Sequence, residues 1–161
     1  MQERENILRI FQETRRAVEI GDSAAIKNLS NQTNNTASLT QDPDNIAAAV
    51  IVYSLSKIIE REAYKSLAGW KKFYDIYISS IDRIISALKN KDDKAFRKDI
   101  AIIRNAIEKL SGRLKSYIQD VFRKASINRA SKIYEHGISM EKTASLLGIT
   151  LFELASYAGQ K

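Results

Sequence analysis

The chain has 161 residues, with 26 Lys and Arg against 19 Asp and Glu for a formal charge of +7, one His, no Cys, one Pro and six Gly. That length suits one domain, or one with a small appendage, and a hydrophobic share of 44% is that of a globular rather than a disordered chain. The missing Cys excludes disulfides, thiolate nucleophiles, Cys-bound zinc and iron–sulfur chemistry, and the single His excludes any site needing two imidazoles. A binding or assembly role is left, so no catalytic residue, metal or cofactor is expected.

The N-terminal segment is charged throughout and lacks the apolar core of a signal peptide, and the best apolar run, Ile46 to Tyr53, is too short to span a bilayer. A cytoplasmic protein with no membrane partner is the expectation, and the glycosylation-type triplets at Asn28, Asn31 and Asn34 then arise by chance. Residues 1–45 carry five basic and seven acidic side chains, so the basic excess lies beyond them.

With so few Gly and Pro, long helices are favoured. A first helix is expected from Glu3 to Ile20, with Ile7, Phe11 and Val18 on one stripe and Gly21 as its stop. Ser23 is the expected N-cap of the next segment. That segment is rich in Asn and Thr, poor helix formers, and reads either as a helix with a polar face or partly as a loop. Asp42-Pro43-Asp44 signals a helix start, and the helix expected from Asp44 to Lys65 is apolar nearly all round, as a central helix would be. A fourth helix, Ala68 to Asn90, carries Trp70, Phe73, Tyr77, Ile81, Ile84 and Leu88 at helical spacing. A fifth begins at Asp92 or Asp93 and shows Phe96, Ile100, Ile103, Ile107, Leu110, Leu114, Tyr117 and Val121 as one heptad seam across residues 96–121. The seam packs either on the fourth helix or on a second copy of the chain, and Gly112 within it allows a kink or a close approach.

Residues 138–159, ISMEKTASLLGITLFELASYAG, hold two short helical segments around Gly148. Ser139 is the expected cap of Met140–Leu147, Ala144 is small where a second helix would cross, and Thr150-Leu-Phe-Glu153 is a capping box. Thr143 is the weak position, where an apolar residue is usual. The longer stretch KIYEHGISMEKTASLLGITLFELASYAG resembles the helix-turn-helix of small prokaryotic, largely archaeal, antitoxin-like and regulatory proteins. The resemblance covers about 28 residues, under a fifth of the chain. It implies binding of double-stranded DNA, with the second short helix in the major groove. Carried over, the groove-facing residues are Thr150, Leu151, Phe152, Glu153, Ala155 and Ser156. That helix lacks the Arg, Lys, Asn or Gln that read base edges best. Phosphate contacts therefore fall to Arg123, Lys124, Arg129, Lys132 and Lys142, while Leu151 and Phe152 suit a protein partner as well as a thymine methyl.

Two weaker constellations remain. Arg129 and His136 share a helix face two turns apart and resemble the Arg/His pair of HEPN-class helical ribonucleases, although a cationic residue at a helix end explains His136 equally well. Asn31, Thr33, Asn34, Asn35 and Thr36 form a candidate polar site or a solvated face. The acids Glu60, Glu62, Asp75 and Asp82 lack the His that a di-metal bundle requires. The expectation is an all-α chain: a bundle of long antiparallel helices at residues 1–126 for dimerisation or partner binding, and a helix-turn-helix module at 127–161. The matching function is a non-enzymatic, homodimeric DNA-binding regulator, with a partner-docking adaptor and a HEPN-like ribonuclease as alternatives.

Overall fold

The computed structural model describes residues 1–130, 137–150 and 153, and every described element is helical. Helix α1 (Arg4–Ile20) buries Ile7, Ile10, Phe11, Thr14, Ala17 and Val18 along the expected stripe. It stops at Gly21 (φ 73°), where the Asp22 N–H donates to the Ala17 carbonyl at 2.8 Å. This six-to-one bond closes a helix whose last carbonyls would otherwise lack donors. Asp22 also caps the next helix, accepting from the Ala25 N–H at 3.0 Å, so the N-cap is Asp22 and not Ser23.

Helix α2 (Ser23–Thr40) runs unbroken through the Asn/Thr-rich stretch. Its threonine hydroxyls are satisfied by its own carbonyls: Thr33 donates to Ser30 at 2.6 Å, Thr36 to Gln32 at 3.1 Å and Thr40 to Thr36 at 3.0 Å. The small buried residues Ser30, Thr33, Thr36 and Ala37 let α2 lie along α3 (Pro43–Glu60), its main neighbour. Asp42 caps α3 through the Asp44 and Asn45 N–H groups. Every residue from Asp44 to Val52 is buried, which makes α3 the central helix its composition suggests. It ends five residues before the expected Lys65, giving way to a 3₁₀ turn at Glu62–Ser66.

Helix α4 (Trp70–Lys89) keeps the predicted face, and Tyr77 donates its phenol to the Ile51 carbonyl of α3 at 2.8 Å. Full burial pushes the Tyr77 pKa upward. The expected long heptad helix is two helices, α5 (Asp93–Glu108) and α6 (Gly112–Ala130). Gly112 sits at φ 62°, so the chain breaks there instead of kinking, and the two segments no longer share one face. Phe96, Ile100, Ile103 and Ile107 are buried inside the chain, with α5 packed on α4. Beyond the break the stripe shifts by one residue, to Leu114, Ile118, Phe122 and Ala125. Tyr117 is left 48% exposed, with its ring stacked on Tyr64.

The six helices form two consecutive three-helix units seventy residues apart. Helix α2 starts at Ser23 and α5 at Asp93; α3 ends at Glu60 and α6 at Ala130. The turn chemistry repeats too. The Asp92 N–H donates to Ala87 at 2.9 Å, and its side chain accepts from Ala95 at 3.1 Å, as Asp22 does with Ala17 and Ala25. Buried positions coincide across the units: Ile7 with Tyr77, Phe11 with Ile81, Ile26 with Phe96, Ala48 with Ile118, Leu55 with Ala125. The corresponding helices α1 and α4 touch, as do α3 and α6, which is the contact pattern of halves related by a twofold.

Helix α7 (Gly137–Leu147) breaks the pattern. Where α2 lies closely along α3, α5 meets α6 only lightly, and α7 packs against α3, α5 and α6. Helix α6 crosses the expected boundary at residue 126 without interruption. No described helix is long and apolar enough to cross a membrane.

Candidate functional site

The described part of the resemblance-bearing segment meets the bundle through buried Leu147 and through an Arg123–Glu153 ion pair. Helix α7 starts at Gly137, so Ser139 lies inside it rather than capping it. Ala144 and Leu147 are buried, and so is Thr143, whose hydroxyl makes no hydrogen bond among the described residues. The chain turns at Gly148 (φ 72°), and the Ile149 N–H donates to the Ala144 carbonyl at 3.0 Å. A Cβ at Gly148 would collide with the Arg104 guanidinium of α5. Glycine suits that position for its backbone angle, and a larger residue would also have to displace the end of the Arg104 side chain.

After the turn, Thr150 and Glu153 form the expected capping box. The Glu153 N–H donates to Thr150 Oγ1 at 3.0 Å, and Glu153 Oε1 accepts from the Thr150 N–H at 3.3 Å and hydroxyl at 3.2 Å. The other carboxylate oxygen of Glu153 pairs with Arg123 of α6 at 2.6 Å. Glu153 is therefore occupied by the cap and the tether. Thr150 remains exposed.

No family model, curated protein or solved structure matches this chain. The site must be read from its own side chains. Leu151, Phe152, Ala155, Ser156, Lys132 and His136 lie outside the described residues, as does the Arg129/His136 pairing. The four described cations expected to meet phosphate, Arg123, Lys124, Arg129 and Lys142, are divided among different clefts. Arg123 joins Glu153, Arg104 and Gly148 in a small pocket. Lys142 is exposed on α7 beside a groove of about 620 Å³ that also holds Asp42, Asp44 and Arg97. There Arg97 donates two hydrogen bonds to buried Asp44, at 3.0 and 2.9 Å, and this pairing raises the Arg97 pKa.

Lys124 and Arg129 face a different cleft, between α3 and α6. The Arg129 guanidinium lies 3.8 Å from the Tyr53 ring centroid, and burial pulls its pKa down, with Tyr53 acting in the opposite direction. The polar cluster of α2 is divided. Thr33 and Thr36 are buried in the helix's own hydrogen bonding, Asn34 is half-buried, and Asn31 and Asn35 are exposed. Asn31 borders a second pocket with Lys27, Tyr53 and Lys57. Tyr53, Lys57 and Arg61 have no part in the sequence reading because they end a helix that reads as core. The Arg123–Glu153 and Arg104–Gly148 contacts leave no local signal at all, each joining residues thirty or more positions apart.

Proposed function

We propose that the chain is a non-enzymatic nucleic-acid-binding protein whose helix-turn-helix module begins at α7, in the manner of a transcriptional or antitoxin-like regulator. The observation that carries the reading is the succession of α7, the Gly148 turn and the reciprocal Thr150–Glu153 capping box, which marks a second helix start four residues after the first helix closes. Support comes also from the formal charge of +7, which favours attraction to a polyanion. In this reading the bundle holds the module through Arg123 and Arg104, Thr150 and its successors meet the major groove, and Lys142 contributes a phosphate contact. A homodimer on two half-sites completes the proposal. Its interface lies away from Ile100, Ile103 and Ile107 of α5, which are covered within the chain.

The test is fluorescence anisotropy with a labelled mixed-sequence duplex at 50 and 200 mM salt, with light scattering for the mass. Binding should fall by orders of magnitude at the higher salt through counterion release, and Lys142→Ala should lower it further. No binding at either salt would sink the proposal and direct attention to a protein partner of Leu151 and Phe152.

A further inference from the structure

The cleft between α3 and α6 has a volume of about 600 Å³, within the range of small-ligand sites. Its charged lining is unbalanced: Lys57, Arg61, Lys124 and Arg129 converge on it with Asp120 as the one carboxylate among its described lining residues. Asp120 is engaged by Lys124 at 3.0 Å. Lys57 reaches Glu60 only at 3.8 Å, at the edge of ion-pair distance. Like charges gathered this way repel one another unless an anion sits among them. The central cation is also the least satisfied. Arg129 Nε is buried and makes no hydrogen bond among the described residues, while its Nη1 has a 3.3 Å bond to Asn128. A buried guanidinium donor without an acceptor costs free energy that a bound anion would recover.

The remaining wall is largely apolar, with Tyr53, Tyr64, Val121, Ala125 and Ile127. Arg129 lies over the Tyr53 ring and Lys57 is 5.7 Å from the same ring centroid, with Tyr64 and Val121 continuing the surface. Nothing in the repeated helix pattern demands these residues. The positions seventy residues from Tyr53, Lys57 and Arg129 hold Arg123, Ile127 and Ile59, so the cleft's chemistry belongs to one side of the molecule only.

We propose that this cleft binds a phosphate-bearing small molecule of nucleotide size, its phosphates held by Arg61, Lys57, Lys124 and Arg129 and its planar part lying on the apolar wall beside Tyr53. Because α3 belongs to the first three-helix unit and α6 to the second, the ligand would bridge the two and act as an effector of the molecule that carries the C-terminal module. The site stands independently of that module's proposed role, since neither Glu153 nor Thr150 lines it.

The experiment is calorimetry on the full chain with ATP, pyrophosphate and adenosine as probes, with thermal unfolding in parallel. Expected are Kd values of about 100 μM or tighter for ATP and pyrophosphate, a raised Tm, and no adenosine binding. Arg61→Ala with Lys57→Ala, neither of them fully buried, should weaken ATP at least about tenfold and leave duplex binding within about twofold. Arg129→Lys keeps the charge but loses the planar donor set and should also weaken ATP. Absence of binding by ATP and pyrophosphate at millimolar concentration overturns the proposal, as does ATP affinity unchanged in the double variant. Adenosine binding as tightly as ATP would refute the phosphate basis. Parallel loss of duplex binding would make the cleft part of the nucleic-acid surface and refute a separate ligand site.

Discussion

The two three-helix units share a framework and differ in what fills it. At buried positions seventy residues apart, Thr14, Ser30, Thr33 and Thr36 of the first unit stand where Ile84, Ile100, Ile103 and Ala106 stand in the second. The reverse also occurs: Leu29 matches Asp99, and Ile10 matches Ser80. Helix α2 can carry hydroxyls inside because its own carbonyls accept them, and its small side chains suit a close run along the all-apolar α3. Helix α5 has α7 among its neighbours and fills its larger space with isoleucine. One backbone plan thus accepts two core chemistries, with Thr33 and Thr36 bonded to carbonyls of their own helix while the buried Thr14 hydroxyl has no partner among the described residues.

The largest expected effect separates those chemistries. Ile103→Ala should lower unfolding stability by about 3 kcal/mol through lost burial and a residual cavity. Thr33→Ala, at the matching position, should cost about 1 kcal/mol, since a local hydrogen bond and one methyl are lost. Equal costs in urea titrations would mean that the two interiors are packed alike. A smaller effect sits at Asp93, which pairs with Arg4 at 2.6 Å and with the terminal amine at 3.1 Å, whereas its counterpart Ser23 has no charge. The Arg4 hydrogen bond, followed by the amine, holds the Asp93 pKa below the ordinary aspartate range. A carboxylate with a depressed folded pKa stabilises fully above its unfolded value and loses that contribution as pH falls through the folded one. Asp93→Asn should therefore cost about 1 kcal/mol at pH 7 and nearly nothing in acid, measured as ΔG against pH. A pH-independent difference would show that the charge is not what matters.

The smallest effect tests the repeated turn. Gly21 and Lys91 occupy the same left-handed position, at φ 73° and 53°. Lys91→Gly should raise stability by about 0.5–1 kcal/mol and Gly21→Ala should lower it by about 1 kcal/mol, both read from thermal unfolding. A destabilising Lys91→Gly would mean that the lysine side chain contributes more than its backbone strain costs.

The repeat itself is hard to see in the sequence. Between residues 1–60 and 71–130 only five positions match: Ala17/Ala87, Asp22/Asp92, Ala25/Ala95, Asn35/Asn105 and Ser56/Ser126. What repeats is burial and turn geometry, and a threonine that bonds its own helix is as acceptable inside as an isoleucine. The heptad seam misled for a related reason. Spacing counts residues along the chain and does not register that Gly112 turns it, so Leu114 continued the pattern by number but on a different helix. In the C-terminal segment the capping box and the glycine turn were legible because each is a contact between near neighbours.

The sequence by itself determined the all-helical class, the faces of α1 and α4, the burial of α3, and the Thr150–Glu153 cap, because helical periodicity and capping act within a few residues. Only the tertiary structure decided that the helices repeat as two units, that Arg123 pairs with Glu153 while Arg104 lies against Gly148, and that Lys57, Arg61, Lys124 and Arg129 line one cleft with Tyr53. Those outcomes depend on how helices far apart in the chain come to pack, and a charge pattern along one helix does not reveal which cations another helix will bring beside it.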